Sequence, residues 1–206
     1  CNRFISAYGI SVANSVVFRK GEHVDRKQIM DNLGLPLFVK PARSGSSVGV
    51  SKVHREEDFE EAVRKALAED DQVLIEEFIE GRELACGLIN KGEELIVFPL
   101  TEIISKKDFF DYEAKYTEGL AHEVTPAEVD MEVKQDIKTL SAFLFRQMGC
   151  KGFVRFDYIL SDKRLYFLEV NAIPGMTEAS LLPQMANAFG MSITELFTIA
   201  LDNLFE

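Results

Sequence analysis

The chain has 206 residues, of which 47% are hydrophobic and 28% charged, and a formal net charge of −11; this is the composition of an ordinary globular protein with one large domain or two small ones. The acidic balance argues against a nucleic-acid partner, which calls for a basic face, but leaves room for an anionic ligand held by a local group of Lys and Arg. No stretch approaches a membrane span, none of the 206 residues reads as a signal peptide, and the three widely spaced cysteines, Cys1, Cys86 and Cys150, read as reduced thiols of a cytoplasmic protein.

The chain opens at Cys1 rather than Met, inside what reads as an amphipathic helix (Phe4, Ile5, Tyr8), so a piece of a longer protein is expected. Val16-Val17-Phe18 reads as a strand, followed by a helix over 25–33 that stops at Gly34. Leu37-Phe38-Val39-Lys40 is a short apolar strand, Ser44-Gly45-Ser46-Ser47-Val48-Gly49 a loop, and 50–53 a returning strand. Phe59, Ala62, Val63, Ala66 and Leu67 recur at helical spacing and predict a helix over 55–69. A buried strand over 73–79 follows, then two longer strands, around 83–90 and 95–104, flanking Lys91-Gly92-Glu93-Glu94. Thr125-Pro126-Ala127-Glu128 reads as a capping box with Pro at the first helical position. It would open a helix with the stripe Val129, Val133, Ile137, Leu140, Leu144, Met148, ending at Gly149. A hairpin through Asp157 and Glu169 comes next, and two helices close the chain, the second started by Ser192 with Glu195 three residues on. The fold class expected is α+β, with two lobes over 1–80 and 81–206 rather than a doubly wound parallel sheet.

Three segments carry chemistry. In the hairpin, Arg155, Asp157, Glu169 and Asn171 are threaded through strands that otherwise read as buried, and a carboxylate in a sheet core is costly unless compensated. Alternation puts Arg155 with Asp157, and Glu169 with Asn171, on single faces. A three-residue loop, Asp162-Lys163-Arg164, would pair Asp157 with Glu169 and Arg155 with Asn171, so that all four point one way. Two carboxylates and an amide oxygen are hard ligands that suit Mg²⁺ and leave room for phosphate oxygens. A solvated surface hairpin is the bland alternative, and Phe153, Phe156, Tyr158, Phe167 and Leu168 make it too apolar for that. The second segment is the Ser/Gly run, whose backbone N–H groups and hydroxyls can face phosphate, with Lys40 at its base. It is not a Walker loop, because the Lys precedes the glycines and a strand follows; alone, such a run is as often a plain turn. The third, Glu76-Glu77-Phe78-Ile79-Glu80-Gly81-Arg82-Glu83, is a strand end that could read an adenine edge, or an acidic linker.

Together these motifs resemble the ATP-grasp fold and, within it, the D-alanine–D-alanine ligases. The resemblance covers nearly the whole chain and rests on 40–49, 76–83, Asp111-Tyr112-Glu113-Ala114-Lys115-Tyr116, Arg155-Phe156-Asp157, and 169–177 followed by Ser180-Leu181. It implies two lobes with mainly antiparallel sheets that hold ATP between them. Lys40 and Lys115 would hold the ATP phosphates, with Ser46, Ser47 and Val48 closing over them. Glu76 would accept from the adenine amino group, backbone at Glu77 and Ile79 would read the ring edge, Glu83 would bind ribose, and Phe109 and Leu168 would be further nucleotide contacts. Asp157, Glu169 and Asn171 would hold two Mg²⁺ ions, with Mn²⁺ as a substitute. Arg155 and the Gly175 N–H would stabilise the oxyanion, Ser180 would hold the acceptor carboxylate beside Lys115 and Gly175, and Tyr116 would favour D-alanine as acceptor.

The mechanism so implied phosphorylates the carboxylate of one D-alanine and lets the amine of a second expel phosphate, serving peptidoglycan synthesis in the cytoplasm. Segment 106–120 would be the lid that keeps water from the acyl phosphate. The family also carries an N-terminal domain for the first D-alanine, and a phosphate-binding lysine just upstream of Cys1. The chain alone is therefore expected to be inactive, with D-alanine and the missing domain as partners, no nucleic acid or membrane, and a homodimer as a compatible assembly. Another carboxylate–amine ligase and a non-catalytic ATP-binding fragment are the competing readings. Glu77 stands where relatives often have Lys, and Ala172 where many have a small hydroxyl residue. His23, His54 and His122 read as surface or loop residues, Cys86 and Cys150 as core thiols, Met176, Met185 and Met191 as packing, and Asp70-Asp71 and 126–138 as solvated faces.

Overall fold

The computed structural model describes residues 1–45, 47–105, 121–162 and 164–205, and they divide into two compact units. A short helix α1 (Asn2–Ser6) and a two-residue strand β1 (Ser11–Val12) lead into the first. Its continuous part is 12–80, so residues 1–11 do not join it as the expected 1–80 lobe would have them do. They group with the second unit, where Ile5 is fully buried and the Tyr8 ring meets Phe143 edge-on at 5.3 Å.

In the first unit, β2 (Ser15–Arg19), α2 (Arg26–Leu33), β3 (Leu37–Pro41), β4 (Ser51–Val53), α3 (Phe59–Glu69) and β5 (Gln72–Glu77) follow in order. The strands form an antiparallel sheet in the order β2-β5-β3-β4. Helix α2 starts where the sequence predicts, with the Asp25 carboxylate accepting from the Gln28 N–H at 3.0 Å, a cap that satisfies a donor the helix leaves open. Strand alternation sends Leu37, Val39, Val73 and Ile75 into a core with Phe59, Ala62 and Ala66 of α3. Each large side chain buried there contributes about 1.5–3 kcal/mol. Phe38, Lys40 and Glu76 take the alternate positions and belong to the other face.

The second unit is built on β6 (Arg82–Lys91), β7 (Glu94–Val97), β8 (Thr101–Ser105), β9 (Ala121–Val124), β10 (Phe153–Ser161) and β11 (Arg164–Asn171). Its sheet runs β1-β11-β10-β6-β8-β9, with β7 also on β6. The single strand expected over 95–104 is broken at Phe98-Pro99-Leu100, and β6 changes partner there from β7 to β8. Pro99 lacks the donor that a continuous central strand requires. Helix α4 (Met131–Gln147) begins five residues after Pro126, the first helical position expected, with Asp130 rather than Thr125 before it. The Thr125 hydroxyl is instead 2.5 Å from the Thr101 hydroxyl, and the buried Ala127 donates its N–H to the Leu100 carbonyl at 2.7 Å. Tertiary hydrogen bonds thus override the local capping signal. Helices α5 (Leu181–Phe189) and α6 (Ile193–Asp202) close the described chain, and α6 has the capping box read from Ser192 and Glu195.

The β6–β10–β11 sheet has two unlike faces. Leu84, Cys86, Leu88, Val154, Phe156 and Tyr158 alternate onto one, where the Tyr158 hydroxyl meets Ser141 of α4 at 2.8 Å. Gly87 is on the other, where an added Cβ would strike Leu182 and stand 3.0 Å from the sulfur of Met185 on α5, so that only Gly allows the helix this close. The same face carries Arg155 and Asp157, opposite Gly87 and Ala85. Among the described residues no helix is long and apolar enough to cross a membrane.

Candidate functional site

The polar residues of the hairpin meet as the alternation requires. Strands β10 and β11 pair Arg155 with Asn171 and Asp157 with Glu169. The route differs from the three-residue loop expected. The ladder runs to Ser161 opposite Arg164, and a bulge between the Asp157 and Tyr158 pairings, which leaves Leu168 as the extra residue, restores the register. An extra residue on one strand re-aims those before it.

Asp157 is 1% exposed. Arg155 grips it with two parallel bonds, Nε to Oδ1 and Nη2 to Oδ2, both 2.8 Å. Asn171 Nδ2 donates to the same Oδ2 at 2.8 Å and to Glu169 Oε1 at 3.3 Å. The fork of two charge-assisted bonds and the Asn171 amide compensate the burial of the Asp157 carboxylate. Burial alone would lower the Arg155 pKa, but Asp157, then Glu169 and Glu83, raise it above the ordinary value, so the guanidinium stays charged.

The donor set fits a hard divalent cation in kind, with two carboxylates and an amide side by side. Among the described residues there is no group of three His, Cys, Asp or Glu that could hold a metal, in keeping with a set in which the third member is an amide. One correction applies. Asn171 presents its nitrogen to the carboxylates, not the oxygen expected as a ligand, so coordination by it requires the amide to turn over.

In the first unit, Lys40 and Glu76, given separate tasks in the sequence reading, form an ion pair with each other; the Glu76 side chain is 6% exposed. Beside them Phe38 and Phe78 lie 6.0 Å apart and the Lys52 ammonium sits 3.7 Å over the Phe78 ring. Glu77 turns its carboxylate to Asn14, accepting from the backbone N–H at 2.8 Å and from Nδ2 at 3.0 Å. Its own N–H donates to the Asn14 carbonyl at 3.0 Å, so of the Glu77 backbone only the carbonyl could face a base. Ile79 and Glu83 are half-buried.

Within the Ser/Gly run, Ser47 and Gly49 have φ of +58° and +75°. The Val48 N–H is already donated to the Gly45 carbonyl at 3.1 Å, so it is not one of the open donors expected there. Further on, Gly175 lies close to Ser180, and an added Cβ would stand 2.8 Å from Ser180 Oγ and push that hydroxyl aside. That hydroxyl accepts from the Thr177 N–H at 3.1 Å and pairs with the Thr177 hydroxyl at 2.9 Å. Gln184, one turn into α5, bridges the Ala179 carbonyl at 2.9 Å and the Glu123 carboxylate at 2.7 Å. Burial pushes the Cys86 thiol up to about 12 and raises Cys150 as well, so both suit a packing role. Ser46, Phe109, Lys115, Tyr116 and the rest of the expected lid lie outside the described residues.

Sequence reasoning missed Phe38, Lys52 and Phe78, whose period-2 spacing toward Lys40 and Glu76 was the available signal, and Asp70. Read as solvated, the Asp70 side chain is 6% exposed and bound to Arg43.

Compared with known proteins, residues 4–202 match the family model for the D-ala D-ala ligase C-terminus. The D-alanine--D-alanine ligase of Phocaeicola vulgatus is 39% identical over 206 residues, 100% of this chain and 63% of the relative. That of Flavobacterium johnsoniae is 43% identical over 198 residues, 96% and 61% respectively. Among solved structures, the VanG D-Ala:D-Ser ligase from Enterococcus faecalis superposes with a TM-score of 0.86 at 36% identity, covering 97% of this chain and 59% of that one. A D-alanine--D-alanine ligase from Bacillus anthracis gives 0.84 at 31%, covering 98% and 64%. Against the P. vulgatus relative, the chain spans 63% of the relative's length.

Proposed function

The chain belongs to the D-alanine–D-alanine ligase C-terminus family and has its ATP-grasp fold, and from that premise we propose that it is the nucleotide- and acceptor-binding part of an ATP-dependent ligase that joins two D-alanine molecules for peptidoglycan synthesis in the cytoplasm. The observation that carries this reading is the hairpin cluster, where a buried Arg155–Asp157 pair is flanked by Glu169 and Asn171 in one register.

In this reading the two units are the family's lobes, one carrying the phosphate loop and the adenine-reading strand end, the other the metal, lid and acceptor residues. Lys40 would leave Glu76 for the ATP phosphates, and Glu76 would then be free to accept from the adenine amino group. Ser46, Ser47 and Lys115 would bind the phosphates, the Glu77 carbonyl and Ile79 N–H the ring edge, and Glu83 the ribose, with Phe109, Val48 and Leu168 against the nucleotide. Asp157, Glu169 and Asn171 would hold Mg²⁺, which when bound neutralises charge on the transferring phosphoryl group. Arg155, held charged and in one orientation by Asp157, would face negative charge on the acyl phosphate without reorganising. The Gly175 N–H would take the oxyanion. Ser180 can turn its proton from Thr177 to the carboxylate of the second D-alanine, whose amine then expels phosphate, with Tyr116 closing the acceptor side. D-Serine as acceptor is the second reading, favoured by the likeness to the VanG ligase.

Calorimetric titration of the chain with ATP tests the first part. Binding should require Mg²⁺, and Asp157→Asn should weaken it far more than Glu128→Gln on the segment before α4. Equal effects would remove the hairpin from the site. Joining the chain to the remainder of the family's length and offering D-alanine and D-serine together would decide the acceptor from the product ratio.

A further inference from the structure

We propose that Glu69-Asp70-Asp71, the end of α3 and the two residues after it, is a clamp that sets the position of the Ser/Gly loop by holding both of its feet, with Asp70 as the positioning residue. This rests on the reading of that loop as a phosphate site. The outgoing foot is Arg43. Asp70 Oδ2 accepts from the Arg43 backbone N–H at 2.8 Å, and Oδ1 accepts from Arg43 Nη2 at 2.6 Å and Nε at 3.2 Å. Asp71 takes a further bond from Nη2. Asp70 is itself fixed by the Gln72 N–H at 3.2 Å, while the Ala42 N–H donates to the Gln72 carbonyl at 2.9 Å. The returning foot is Gly49. It is buried, with φ +75°, and an added Cβ would lie 2.8 Å from Glu69 Cγ and 2.9 Å from Pro41 Cγ. Feet six residues apart in sequence are thus pressed onto one stretch that lies 20 or more residues further along the chain.

The charge distribution says that this stretch positions the loop rather than binds the ligand. Three carboxylates at the C-terminal end of a helix make a negative spot, which repels phosphate. Arg43, the one cation among these contacts, is committed to two of them, and its bond holds the Asp70 carboxyl well below the usual carboxylate range. What the acids supply is a fixed loop whose conformational entropy is already lost before a ligand arrives.

The sign of one substitution separates the two roles. If Arg43 bound phosphate itself, Asp70→Asn would release it and ATP would bind more tightly. As a clamp, Asp70→Asn loosens the outgoing foot and ATP binds more weakly. The experiment titrates the 206-residue chain with adenylyl imidodiphosphate and Mg²⁺, and separately with AMP, which lacks the outer phosphates. We expect Asp70→Asn and Arg43→Gln each to lower affinity for the triphosphate about tenfold, the size of one charge-assisted bond, to leave AMP affinity unchanged, and Arg43→Lys to recover part of the loss. Arg43→Gln, at an exposed side chain, keeps the test open should Asp70→Asn fail to fold. Tighter triphosphate binding, no change, or an equal loss for triphosphate and AMP would overturn the clamp while leaving the nucleotide reading intact. If the unaltered chain binds neither ligand, both fall.

Discussion

The hairpin and the Ser/Gly loop, the two places where the proposed function puts a charged ligand, hold their polar groups in opposite ways. In the hairpin the groups are residues of the paired strands β10 and β11 themselves, gathered around the buried Asp157, and each is fixed by the neighbour that alternation and register place beside it. In the loop, where Ser44, Gly45 and Val48 are exposed and no helix or strand holds them, position is set by residues 20 or more positions away. A sheet site is therefore inseparable from the stability of the fold, whereas a loop site can lose its geometry while the fold persists.

The sharpest way to break that contrast is Asp157→Ala. It leaves the buried Arg155 guanidinium unpaired, and the expected loss in a urea unfolding curve is about 3–5 kcal/mol. Replacing Arg155 by Met in the same chain should recover most of it, since an apolar pair of similar volume avoids burying charge. A single variant as stable as the parent, or no recovery in the double variant, would mean that the hairpin holds its register without the ion pair.

Gly49→Ala probes the other side. The left-handed φ and the approach of Glu69 and Pro41 strain an added methyl, at a cost of order 1–3 kcal/mol if the loop keeps its place. An exposed loop can evade this by shifting, so the expected result is a small change in melting temperature with a marked fall in nucleotide affinity. A large drop in stability with affinity intact would place the loop among the rigid parts of the unit.

The same contrast explains what could be read from the sequence. Hairpin pairing followed from alternation and apolar flanks, because a period-2 element with one buried face admits one register. The bulge at Leu168 was not legible: it compensates for a shorter turn, and the pairing is unchanged by it. The start of α4 was misplaced because Thr125 and Ala127 bond to Thr101 and Leu100, partners about 25 residues away that no local signal announces. Asp70-Asp71 looks like a solvated pair in any window of neighbours, and only the fold brings Arg43 to it. What sequence reading recovers is the local and the periodic; what it misses is fixed by contacts across the fold.

On the back of the hairpin, Tyr158→Phe sharpens the account of its rigidity. The change removes one buried hydrogen bond and leaves the Ser141 hydroxyl, 0% exposed, without that partner, at a cost of about 1 kcal/mol. Metal-dependent nucleotide binding should be unchanged, because Tyr158 faces α4 while Asp157 faces the other way. Loss of binding at unchanged stability would show that the two faces are coupled.

The smallest effect expected comes from a carboxylate that is neither buried like Asp157 nor clamped like Asp70. Glu195 closes the capping box of α6, its Oε2 accepting from the Ser192 N–H at 2.8 Å and the Ser192 hydroxyl at 2.7 Å. The hydroxyl bond, then the backbone bond, lower its pKa from the ordinary value. A carboxyl depressed in the folded state contributes stability that is fully present above its unfolded pKa, about 4.3 for Glu, and is lost as pH falls through the folded value. Glu195→Gln retains the size and an accepting oxygen but cannot titrate. The difference in melting temperature between parent and variant should therefore be small and constant from pH 7 down to about 5, then shrink as the pH is lowered further. Subtracting the variant removes the titration of all other acids, which both chains share. A difference independent of pH would mean that the Ser192 bonds are as good to an amide as to a carboxylate, and that the exposed acid, unlike the two buried ones, owes nothing to its charge.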